Sequence, residues 1–377
     1  MWETSDRGDD GDGDHIYLLH YTIYFLIQSQ EQAVNRTKNL ACLLDCSMND
    51  MSTIVDYLRE ASPQLLTQTQ WKLTSYYFDP PFAPVVDGKF LLKHPSEVMA
   101  EGKVKNTSLI VGVVKDEGTY WLLYGFSLIF GNRDPNPVSP SQYSTVVEAL
   151  LKPLGDNFTT DSIKHLTMNE YYDSVPPQTR GDYLDAADDI CGDLLFKCAV
   201  VNFGQLYSRK VRGQVFMYSY EHRASTNTWP LWVGAPHGYE LDAFFGRPWS
   251  EPGSNYSDSE RALSDDVMYR ISNFAKTGDP NQGLPTPGVN WPVYTTEDQH
   301  YLVMNAGQMR VDQGLRHREC EFWRTQVPIF QAASYPRSTC EPSSSGRLRP
   351  WQVLLLLCVV AVGYQRYGRG DCDVETQ

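Results

Sequence analysis

A chain of 377 residues can bury a large core, as one big α/β domain or two ordinary ones. Its 41% hydrophobic and 12% aromatic content excludes a disordered chain, which would be depleted in aromatic and β-branched residues. The net charge of −14, with no clustered basic run, excludes nucleic acid as a partner, because phosphate binding needs such a surface. An acidic field favours a cationic small molecule, although acidity of this kind chiefly keeps a protein soluble.

Residues 1–30 form an acidic and then apolar start. Six carboxylates fall within the first fourteen residues. The run Ile16 to Ile27 lacks the cationic flank of a signal peptide and is too short to span a bilayer. The body then continues from residue 31 to 330 without an internal repeat. Eight cysteines and four N-x-[ST] sequons, at Asn35, Asn106, Asn157 and Asn255, point to an oxidising, glycosylating compartment, extracellular or at the cell surface. A secretory body behind a start with no signal peptide is expected to lack its true N-terminal part.

Ser108 to Val114, SLIVGVV, is an apolar β-branched run that ends at Lys115-Asp116-Glu117-Gly118, a buried strand delivering a carboxylate at its C-terminal edge. Gln214 to Tyr220, QVFMYSY, reads as a second strand. Helical and Pro-rich segments alternate between them, the pattern of crossovers in an α/β fold with a mostly parallel sheet and helices on both faces. A long aromatic loop carrying His237 follows. Ser257 and Glu260 make a capping box, and Leu263, Val267, Ile271 and Phe274 keep helical spacing until Thr277-Gly278-Asp279-Pro280 stops the helix.

Residues 331–377 form a tail with Cys340, small residues from Ser343 to Gly346, a polar spacer and an apolar run from Trp351 to Tyr364. That order fits a glycolipid-anchor signal or a short membrane span, either of which anchors the tail at a membrane. The polar end, Arg366 to Gln377, departs from the anchor pattern.

A carboxylate at a strand end followed by a histidine in a later loop is the chain order of acid and base in an α/β-hydrolase. Most such glutamates are simply solvated and most single histidines are structural. The company of Glu117 and His237 sets them apart: Tyr120, Trp121 and Tyr124 follow the carboxylate, and Trp229, Trp232 and Tyr239 surround the histidine. Aromatic residues this dense are usually core, but around a reaction centre they can hold a quaternary ammonium by cation–π attraction.

Five segments carry a specific resemblance. VGVVKDEGTYWLLYG at Val111 to Gly125, YEHRASTNTWPLWVGAPHGYELDAFFG at Tyr220 to Gly246 and NFAKTGDPN at Asn273 to Asn281 resemble motifs of the acetylcholinesterase/type-B carboxylesterase family. PVVDGKFL at Pro84 to Leu91 and LRHRECEFW at Leu315 to Trp323 add two more. The resemblance implies the C-terminal portion of an α/β-hydrolase with Glu117 as triad acid and His237 as general base, acting on a choline ester with no metal and no organic cofactor.

The same resemblance places Trp71 and Tyr124 at an outer ligand site, Tyr120 at the choline group, Phe78 and Trp121 at the acyl pocket, and Tyr239 behind the base. A further acyl-pocket phenylalanine of the family falls at Pro80, which implies a roomier pocket. Cys198 and Cys320 match the family's long C-terminal disulfide loop. Cys42 matches the first cysteine of its small loop, whose partner position holds Tyr57, leaving Cys46 or Cys191 as substitutes. Cys340 matches an intersubunit cysteine, implying a disulfide-linked homodimer.

The family nucleophile sits in a G-x-S-x-G elbow, and no such motif occurs in these 377 residues. Two expectations follow. One is a truncated form of a choline-ester hydrolase, inactive as written for want of its serine. The other is a non-catalytic, cholinesterase-like adhesion or binding protein. Such a relative has no chemical reason to keep acid, base and aromatic residues together, which favours the first. Without the strands that carry the elbow, part of the sheet is expected to present an unpaired edge.

Overall fold

The computed structural model describes residues 27–46, 50–74, 79–155, 158–174, 183–250, 253 and 255–334. The chain divides into two compact units, one containing Thr74–Ala332 and the other Glu31–Leu73. Phe78, Asn157, Cys340 and the apolar run of the tail lie outside the described residues.

The smaller unit is helical: α1 (Gln30–Leu43), α2 (Met51–Glu60) and α3 (Pro63–Thr69). Its helices begin where the sequence supplies caps. Asp50 accepts the Thr53 amide at 3.0 Å ahead of α2, and Ser62 accepts the Leu65 amide ahead of α3, whose first residue is Pro63. Each such acceptor satisfies an amide that would otherwise have no intrahelical partner. Trp71, 61% exposed, sits on the 3₁₀ turn Gln70–Leu73 that follows.

Cys42, in α1, is disulfide-bonded. Cys46 and Cys191 are both free thiols, so neither substitutes as its partner, contrary to the expectation above. Cys46 lies in the turn that ends α1, its amide on the Ala41 carbonyl at 3.0 Å. Cys191 is enclosed in the core of the other unit, packed behind Gly118.

The larger unit is built on a four-stranded sheet in the order β1 (Leu109–Val114), β2 (Val215–Tyr220), β3 (His300–Met304) and β4 (Arg310–Gln313). β1 and β2 are parallel, from Leu109 opposite Val215 to Val114 opposite Tyr220. β3 is parallel to β2, and β4 closes the order antiparallel. Among the described residues β1 is hydrogen-bonded to a strand on one side only.

Alternate side chains of a strand point to opposite faces, and β2 feeds two separate cores in this way. Val215 and Met217 pack on one face with Val113, Val303 and Val201, while Phe216 and Tyr220 pack on the other with Leu302, Met304 and Val267. Gly112 is required in β1 because a Cβ there would lie 2.3 Å from the Tyr218 ring.

The β1–β2 crossover carries α4 (Thr119–Gly125), α5 (Pro140–Leu151), α6 (Asp161–Ser174), α7 (Leu184–Gly192), a π-helical turn at Asp193–Lys197, and α8 (Cys198–Lys210). These helices share a third apolar core that includes Leu122, Tyr143, Ile190 and Trp323. The β2–β3 crossover carries α9 (Asp258–Thr277). Its capping box is formed by Ser257 and Glu260, and Gly278 ends it with φ of 81°, so the start and stop read from the sequence are those of the helix. α10 (His317–Glu321) follows β4, and no described helix is long and apolar enough to cross a membrane.

Candidate active site

The site lies at the C-terminal ends of β1 and β2. β1 runs into Asp116 and Glu117, and α4 starts two residues later. The loop after β2 carries His237. Glu117 is buried; its Oε1 accepts the Val114 amide at 2.9 Å, and its Oε2 meets His237 Nδ1 at 2.6 Å across 120 residues of sequence. The carboxylate thus selects the ring nitrogen that carries the proton and leaves Nε2 on the far edge of the ring. His237 has no second hydrogen bond among the described residues, and its side chain is 41% exposed.

The hydrogen bond to Glu117 raises the His237 pKa above its ordinary value, against a smaller opposing effect of burial. A second carboxylate, Glu240, also faces the pair. Burial pushes its pKa up, and its Oε2 has no hydrogen-bond partner among the described residues.

The histidine loop is held largely by side chains. Arg223 donates to the carbonyls of Asn227, Trp229 and Gly234. Asp134 accepts the amides of Leu231 and Trp232 at 2.6 and 3.3 Å. The Thr119 hydroxyl is 2.9 Å from the carbonyls of both Asp116 and Val233. Asp116 Oδ2 accepts the Ala235 amide at 2.7 Å. Gly234, with φ of 60°, brings the chain so close to Asp116 that a Cβ would lie 2.0 Å from that oxygen. Together these bonds fix the course of the loop that carries the imidazole.

The aromatic residues singled out in the sequence sort into two groups. Tyr120 packs on Trp121 at 5.3 Å and on Tyr124 at 4.7 Å. Tyr124, 60% exposed, meets Trp229 edge-on at 6.3 Å. Trp229 donates its indole N–H to the Tyr239 hydroxyl, and Trp121 lies 5.7 Å from the His237 ring. These five rings form one connected aromatic cluster, which meets the histidine ring through Trp121. Trp232 instead packs on Phe130 at 5.8 Å and donates to the Gly131 carbonyl, partly buried against the helical core that Trp121 also flanks. Trp71 belongs to the smaller unit.

Phe196 was not singled out by sequence, yet its ring is the nearest aromatic neighbour of His237 among the described residues, at 4.4 Å, and it stacks on Trp121 at 5.8 Å. It comes from the π-helical turn, and no periodicity in the sequence marks it.

A second histidine–carboxylate contact, His222 Nε2 to Glu260 Oε1 at 3.1 Å, is structural. His222 Nδ1 is also occupied, by Asn305. Glu260 is consumed by Ser225 and Ser257. Burial opposes its charge, but these hydrogen bonds prevail and bring its pKa to about 2.

Cys198 and Cys320 are disulfide-bonded, joining the first residue of α8 to α10. Asn35, Asn106 and Asn255 are all exposed.

A family model described as the carboxylesterase family matches residues 22–323. An acetylcholinesterase from Bungarus fasciatus is 34% identical over 287 residues, covering 76% of this chain and 46% of that protein. Acetylcholinesterase 1 from Caenorhabditis briggsae is 35% identical over 297 residues, covering 75% and 47%. The chain spans about half the length of the curated relatives it matches.

Proposed function

The chain belongs to the carboxylesterase family, and from that premise we propose that it supplies the acid and base of a site that hydrolyses acetylcholine or a related choline ester. The observation that carries this reading is the contact of 2.6 Å between His237 Nδ1 and the buried Glu117. It leaves Nε2 to take a proton from a serine hydroxyl and later return it to the choline oxygen, while the carboxylate stabilises the imidazolium. Tyr120, Trp121, Tyr124 and Trp229 offer ring faces for the quaternary ammonium, and two of the matched relatives are named acetylcholinesterases.

The nucleophile is proposed to belong to a longer form, since no G-x-S-x-G occurs in these 377 residues. That same observation favours a second reading, in which the fold serves binding or adhesion without chemistry. The exposed sequons support an extracellular or cell-surface location. A disulfide-linked dimer through Cys340 and anchoring through the tail complete the proposal.

The test is turnover of acetylthiocholine and butyrylthiocholine by this chain and by a form extended with its upstream sequence. The hydrolase reading requires turnover by the extended form and none by the 377-residue chain. A folded extended form inert on both esters overturns it in favour of binding.

A further inference from the structure

The turn Asp193–Lys197 contains one residue more than an α-helical turn, a device that re-aims side chains and often marks functional positions. Its side chains go to different destinations. Asp193, fully buried, is held by Arg316 at 2.5 Å and by the Tyr171 hydroxyl at 2.8 Å. Lys197 reaches Asp189 at 3.2 Å. The next residue, Cys198, is bound to Cys320. Between these anchors Phe196 lies against the imidazole of His237, with ring centroids 4.4 Å apart and planes 31° apart, and is backed by the Trp121 ring at 5.8 Å and 22°. A side chain on so firmly held a mount keeps its place when the imidazole changes charge.

We propose that Phe196 is a positioning residue for His237: its ring holds the imidazole in the plane that meets Glu117 and stabilises the imidazolium through its π face. The consequence for ester hydrolysis rests on the reading of His237 as general base, whereas the ring contact can be tested without turnover. The charged groups facing His237 are Glu117, from the turn after β1, and Glu240, from its own loop. Tyr120 and Tyr124 are the titratable groups beside Trp121 on α4. Lys197, beside Phe196, is engaged with Asp189.

A ring that only fills space and a ring that stabilises the cation predict opposite signs. Removing a space-filler lets water reach the imidazolium and moves the protonation midpoint up. Removing a cation–π partner moves it down, by about half a pH unit for a partly exposed site.

The experiment is NMR titration of the imidazoles in the full chain, with the His237 signal assigned by its loss in His237→Gln. Phe196→Leu and Phe196→Met remove the π face with different shapes, and Phe196→Tyr restores it. The expected result is a lower His237 midpoint in both aliphatic variants and a parental one in Phe196→Tyr, with His222 unmoved in all as a measure of intact folding. A midpoint that stays or rises in whichever aliphatic variant keeps the parental His222 signal overturns the proposal. Because no substrate is used, failure of ester hydrolysis would leave this result standing, and its failure would leave the hydrolase reading standing.

Discussion

Asp116 and Ala235 are joined twice: the Ala235 amide donates to Asp116 Oδ2 at 2.7 Å, and the Asp116 amide donates to the Ala235 carbonyl at 3.2 Å. Glu117 follows one of these residues directly, and His237 lies two beyond the other. The carboxylate and the imidazole thus leave a common fastening, which sets the separation of the two chain segments that carry them. Geometry fixed in this way is what proton transfer at hydrogen-bond distance requires.

That fastening depends on Gly234. Its φ of 60° and the space of 2.0 Å left for a Cβ beside Asp116 predict that Gly234→Ala destabilises the fold by about 3 kcal/mol through backbone strain and overlap. Urea unfolding checks this; a midpoint within error of the parent would mean that the loop accommodates a side chain and that the Asp116 contact is not tight.

The Glu117–His237 pair should make stability depend on pH. His237 has a raised pKa, chiefly through its hydrogen bond to Glu117. A folded pKa above the unfolded value of about 6.5 means tighter proton binding in the folded state. The stabilisation is full below the unfolded pKa and is lost as pH rises through the folded one. The difference in unfolding free energy between the parent and Glu117→Gln should therefore be largest below the unfolded imidazole value of about 6.5 and shrink as pH rises above it. A difference independent of pH would show that the pair does not hold a proton.

Arg316 compensates buried charge. It bonds Asp193, whose side chain is fully buried, and Asp189 at 3.1 Å, while Lys197 meets Asp189 from the other side. Arg316→Ala should cost about 3–5 kcal/mol, because it strands a buried carboxylate. Thermal and urea unfolding would measure it; a loss below about 1 kcal/mol, the value of a surface pair, would contradict the buried network.

The exposed Asn35, Asn106 and Asn255 predict N-glycosylation when the chain passes through a secretory host. Enzymatic deglycosylation should lower its mass, and Asn→Gln exchange at each position should remove one increment. An unchanged mass in a secreted product would contradict the proposed compartment.

The parts legible in the sequence are those set by local pattern. The β-branched run ending at Val114 and the aromatic-rich run ending at Tyr220 are strands, and Ser257 with Glu260 opens α9. β3 and β4, five and four residues long, are too short for a period to emerge. At the site, chain order and resemblance pointed to Glu117 and His237, but the contact itself spans 120 residues and no local pattern encodes it. Phe196 has no sequence signal because a π-helical turn re-aims it, and adjacency of Trp232 to the histidine in sequence does not reveal that its ring packs on Phe130.

Glu117 and His237 are proposed here as the acid and base of an esterase. The most direct measurement is kcat and KM for acetylthiocholine in the upstream-extended form and in its His237→Ala and Glu117→Gln variants, each checked for folding. His237→Ala is expected to lower kcat roughly a thousandfold or more, Glu117→Gln to lower it comparably by spoiling the histidine tautomer, and KM to change far less in both. Retention of more than a tenth of parental kcat in a folded His237→Ala protein would contradict the assignment.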